Sequence, residues 1–113
     1  MMRSAALAGV LVLSAMTGQV RAQDGVAGQG NPGRGLALAQ EVCGSCHAIR
    51  PEQPSSPEPH APPFAKIAKV PGMTAAALTV VLRTSHRQMP NLLLSPEDQR
   101  NVIAYILTLS SAK

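Results

Sequence analysis

The chain has no tryptophan, one phenylalanine and one tyrosine. Large rings supply much of the buried area of an ordinary domain, so a fold built from this chain has to find core material elsewhere. The same scarcity removes the stacking surface of a nucleic-acid binder, and no basic run takes its place, so a nucleic-acid partner is excluded. There are only two cysteines, Cys43 and Cys46. A disulfide between them would close too short a loop to restrain the unfolded chain, which excludes a disulfide-stapled scaffold. The longest uncharged apolar run, Ala5 to Met16, falls well short of the roughly 20 residues that span a bilayer. No internal repeat and no alternating strand pattern is present.

What is there begins with a leader. A basic start (Met1-Met2-Arg3), the apolar run, and Val20-Arg21-Ala22 ending in a small residue follow the order of a secretory signal peptide, residues 1–22. The chain is therefore expected in the periplasm, with cleavage after Ala22 and no stable membrane insertion once the leader is removed; the alternative is an uncleaved tether. The mature part keeps 91 residues, and because Arg3 and Arg21 leave with the leader its net charge is only +2. Electrostatic steering of partners is correspondingly mild. A chain this short buries a small fraction of its surface and usually needs a staple, a metal or another added group.

Residues 23–33 (QDGVAGQGNPG) read as a flexible Gly-rich lead-in, and residues 34–113 as one domain. Arg34 to Val42 contains good helix formers and runs straight into Cys43. Ala48 to Pro63 holds six of the ten prolines and must be a loop. Phe64 to Val70 suits a helical turn or two. Pro71-Gly72 is a turn signal, and Thr74 caps a helix over Ala75 to Arg83 with Leu78, Val81 and Leu82 as its apolar stripe. Ser95-Pro96-Glu97-Asp98 is a helix start, and the last helix runs to about Leu109 with Val102, Ile106, Leu109 and Tyr105 inward. The class is all-α, three to four short helices joined by proline-rich loops.

Cys43-Gly44-Ser45-Cys46-His47 carries the chemistry. A redox dithiol of the thioredoxin kind would sit at the end of a strand, and no strand precedes Cys43. A structural zinc ion needs four ligands, and this motif offers three at most. Covalent haem attachment has C-x-x-C-H as its signature: two thiols one helical turn apart add to the two vinyl groups, and the next residue turns its imidazole to the iron. Candidates for a sixth ligand are Met73, Met89, His60 and His86. Met89 lies 42 residues after His47, is followed by Pro90, and precedes a capped helix; it is the choice the pattern favours. Met73 reads as packing and His60 as an exposed loop residue. His86 is the remaining rival, assigned to the solvent side of its loop.

In this order the motifs resemble those of the small class I cytochromes c, over nearly all of the mature chain. They are Gly35, CGSCH at Cys43 to His47, APPF at Ala61 to Phe64, Met89-Pro90 and Ala104-Tyr105-Ile106. The resemblance implies one covalent haem c, with thioether bonds to Cys43 and Cys46, His47 as proximal and Met89 as distal iron ligand. It also implies that the Pro62 carbonyl accepts the other ring proton of His47, and that the first and last helices cross with Gly35 and Ala39 against Val102 and Tyr105. Two departures stand out. Ala61 replaces the usual glycine, and without tryptophan the haem propionates need another partner, Arg50, Arg87 or loop amides.

The function this implies is single-electron transfer, not catalysis. The chain would be a monomeric periplasmic carrier exchanging electrons with a dehydrogenase, an oxidase or another cytochrome, free or as a small subunit, with Arg83 and Arg87 at the rim of the haem edge. The alternative is a gas-binding or catalytic haem protein whose sixth site is open or labile.

Overall fold

The computed structural model describes residues 29–86 and 88–112. The expected signal peptide, most of the lead-in and Arg87 lie outside them.

Helix α1 spans Pro32–Leu38. Asn31 caps it by accepting a hydrogen bond from the Arg34 amide at 3.0 Å, with proline in the first turn. Asn-Pro is thus a start signal, and it places Pro32 and Gly33 in the helix, although they fall in the stretch expected as lead-in. The helix then widens into a π turn, Ala39–Cys43. Helix α2 is Phe64–Ala68 and α3 is Ala75–Arg83, the latter capped by the Thr74 hydroxyl on the Ala77 amide at 3.1 Å. Helix α4 runs Pro96–Thr108 and tightens into a 3-10 turn at Leu109–Ser111. Its cap is Ser95, whose hydroxyl accepts from the Asp98 amide at 3.0 Å, and Glu97 and Asp98 face the positive end of the helix. Among the described residues there is no strand, and the chain forms the all-α fold expected of it. No described helix is long and apolar enough to cross a membrane.

The crossing of α1 on α4 is the centre of the molecule. A Cβ at Gly35 would overlap the Asn101 carbonyl oxygen and approach the Tyr105 Cβ to 2.8 Å, so only glycine lets the backbones meet. Ala39 and Val102 are fully buried nearby. Asn101 is buried as well, and its side-chain oxygen accepts from the Asn31 amide at 2.8 Å, which fixes the approach to α1. Around the crossing, Ile49, Phe64, Ala68, Leu78, Ile103, Tyr105, Ile106 and Leu109 complete the core. The expected inward face of α4 is found, with Ile103 added to it. The stripe on α3 is narrower than expected: Leu78 is buried and Leu82 half-buried, but Val81 is exposed. The reason is that α3 is tied to α4 along one edge, where buried Gln99 donates to the Thr79 carbonyl at 3.4 Å and accepts from Arg83 Nε at 3.3 Å.

Candidate haem site

The π turn delivers the motif. The Gly44 amide donates to the Ala39 carbonyl, five residues back, at 2.8 Å, and the Cys43 carbonyl then accepts from the amides of both Cys46 (3.1 Å) and His47 (2.9 Å). Cys43, Cys46 and His47 therefore leave α1 on one tight, internally bonded turn. A π turn inserted where a helix meets a functional segment is a recurrent device. Helix-former content could not reveal it, because the same residues suit an α turn equally well.

His47 is half-buried, with its ring beside Phe64 at 5.4 Å between centroids and a 48° tilt. Its Nδ1 lies 2.7 Å from the Pro62 carbonyl oxygen. A carbonyl only accepts, so Nδ1 carries the proton, and in the neutral ring Nε2 is left with a bare lone pair. Cys43 is half-buried and Cys46 exposed, and neither is in a disulfide. Burial pushes the Cys43 thiol up from its ordinary range, which keeps it protonated.

The proline-rich loop, unassigned from its composition, holds this turn from outside. The Ser56 hydroxyl accepts from the Ala48 amide at 2.9 Å, and Gln53 Oε1 accepts from the amides of Ile49 (2.8 Å) and Arg50 (2.9 Å). The Glu58 amide donates to the Cys46 carbonyl at 3.1 Å, and the Phe64 amide to the Ala48 carbonyl at 2.9 Å. From the far side the Tyr105 hydroxyl donates to the Ile49 carbonyl at 2.6 Å. The polar residues spaced between the prolines were the available signal. They satisfy backbone groups that a proline loop cannot bond to itself.

His60 is exposed, as expected, and its ring and amide both reach Glu58 Oε1 (3.1 and 3.3 Å). The ring hydrogen bond is the main reason the Glu58 carboxyl sits below its usual range. An open cavity of about 640 Å³ lies under this loop, lined by residues that include His60, Pro62 and Lys66. His47, Met89 and the two cysteines do not line it.

The other candidate ligands separate by surroundings. Met73 packs against the apolar core, as expected of a packing residue. Met89 is equally half-buried but is not part of that packing. It lies in the loop between α3 and α4, where it pairs with His86 in an isolated antiparallel bridge, its amide donating to the His86 carbonyl at 3.3 Å. His86 is exposed. Among the described residues no three of His, Cys, Asp and Glu converge as a metal site. The donors offered are instead two thiols, an imidazole with one committed nitrogen, and a thioether outside the core. That set has the chemistry of a covalent haem site, and the residues present fit the group.

The chain is similar to cytochrome c-552 of Bradyrhizobium diazoefficiens, with 32% identity over 77 residues, covering 68% of this chain and 73% of that relative. No family model and no solved structure matches it. The all-α fold, the Gly35 crossing of first and last helices and this likeness lead to one conclusion: the chain belongs to the small monohaem cytochromes c.

Proposed function

We propose that the chain is a periplasmic single-electron carrier with one haem c, bound through thioether bonds to Cys43 and Cys46 and ligated by His47 and Met89. The observation that carries this reading is the His47–Pro62 hydrogen bond, which presents a bare Nε2 directly after the two thiols. When bound, haem supplies a one-electron ferric/ferrous couple, and a soft methionine ligand favours the ferrous side. The chain's own residues do the rest. Pro62 fixes the tautomer and direction of the His47 ring, an outer contact of the kind that raises ligand basicity. Ser56, Gln53 and Glu58 hold the backbone after the motif, and Met89 offers sulfur from a loop, not from the core.

With His47 and Met89 both holding the iron, no coordination site would be left for a substrate, which favours a carrier over an enzyme. Its partners are redox proteins, and it acts as a monomer, free or as the small subunit of a dehydrogenase or oxidase. Arg50 is an exposed cation close to the motif and, with Arg87 and the loop amides, is among the groups that would serve a haem propionate in place of tryptophan. The test is the protein purified from a periplasm. Haem is expected to stay with the polypeptide in acid acetone, and no thiol to titrate after unfolding. Extractable haem together with two reactive thiols would overturn the assignment.

A further inference from the structure

Met89 sits in the loop joining Arg83, the last residue of α3, to Ser95, the cap of α4. The backbone closes this loop poorly: the Met89-to-His86 hydrogen bond is 3.3 Å long, beyond the usual 2.9–3.0 Å of N–H···O bonds. Ser85 Oγ donates to Asn91 Oδ1 at 3.0 Å, from four residues before Met89 to two residues after it. Among the described residues this is the one side-chain hydrogen bond that joins the two arms of the loop. Both partners are exposed and contribute nothing to the core.

We propose that Ser85 and Asn91 are positioning residues that latch the Met89 loop closed and so set how readily the sulfur leaves the iron. This rests on the reading of Met89 as the sixth ligand. With the latch formed, Ser85 and Asn91 stay in register and the Met89 backbone is held on both sides. With it broken, the long backbone bond is what remains between the arms among the described residues, and the open population rises. One exposed hydrogen bond is worth a modest factor, about two- to fivefold.

The measurement is the rate at which the ferrous holoprotein takes up carbon monoxide, together with the melting temperature of the ferric form. Ser85→Ala and Asn91→Ala are each expected to raise the rate about two- to fivefold, and the double variant no further than either alone. Ser85→Thr keeps the hydroxyl and is expected to restore the original rate. The melting temperature should hardly move, because neither side chain is buried; a purely structural role would lower it without changing uptake. Met89→Ala provides the reference of an open site. If Met89→Ala opens the site while Ser85→Ala and Asn91→Ala leave the rate unchanged, or act additively, the latch is wrong and the ligand reading stands. If the unmutated protein already takes up carbon monoxide as fast as Met89→Ala, both fall together.

Discussion

Gly35 touches the backbone of α4 with nothing between, and the consequence of adding even a methyl group follows from that contact. A side chain meets a carbonyl oxygen and a Cβ that belong to a helix, so relief requires moving α1 as a whole. Gly35→Ala is expected to destabilise by about 1–3 kcal/mol, the usual range for overpacking, read as a lower denaturant midpoint at unchanged slope. Tyr105 is tied by its hydroxyl to the Ile49 carbonyl, and burial is the main reason its phenol sits above its ordinary range, against a lowering by Arg50. A group whose pKa is raised on folding lends stability below its unfolded value, and that stability is lost as pH rises through the folded value. Melting temperature should thus fall on the alkaline side, from the ordinary tyrosine range upward. Tyr105→Phe is expected to be less stable than the parent at neutral pH, by about 1 kcal/mol, and to lack this alkaline component.

Helices begin in this chain where the sequence writes a cap, and the elements follow that rule closely. Thr74 and Ser95 were readable as starts because a hydroxyl before a helical run has few other uses, and both bond the amides expected of them. Ser95→Ala is expected to cost about 1 kcal/mol in unfolding free energy, with the first turn of α4 losing amide protection before the rest. Asn31 is the same signal, hidden in a Gly-rich stretch whose composition suggested a linker. The motif residues Cys43, Cys46 and His47 were legible because they form a pattern of fixed spacing; the carbonyl of Pro62 was reached only through the family resemblance, and the bond between His47 and Pro62 is present. The π turn and the bracing of residues 48–50 by Gln53 and Ser56 were not legible. They depend on which of several equivalent backbone bonds forms, and tertiary contact decides that. The overestimated stripe on α3 has a related cause: periodicity marks which residues are apolar, not how wide a partner they meet.

At the scale of the molecule, the core is thin in rings: Phe64 and Tyr105 are the only large aromatics in the chain. Leu93 is wholly exposed and Val80 and Val81 are exposed on α3, so apolar surface remains outside the core. A group bound only by the folded state stabilises it by mass action, and chain made without haem attachment is expected to show weak helical circular dichroism and poor amide protection. A cooperatively folded apoprotein would count against that. Docking of the proposed carrier with an acidic redox partner should weaken as salt rises, but gently, because the charge of +2 expected after leader removal gives little field to screen. The most direct test of the electron-carrier assignment is the reduction potential of the holoprotein measured beside that of Met89→Ala, with the coordination state read from the absorption spectrum of each. The unmutated ferrous protein is expected to be six-coordinate and low-spin, and Met89→Ala to lose that state and shift to a lower potential, since a soft ligand favouring ferrous iron is gone. An unmutated protein that is already five-coordinate, with a potential that Met89→Ala leaves unchanged, would contradict it.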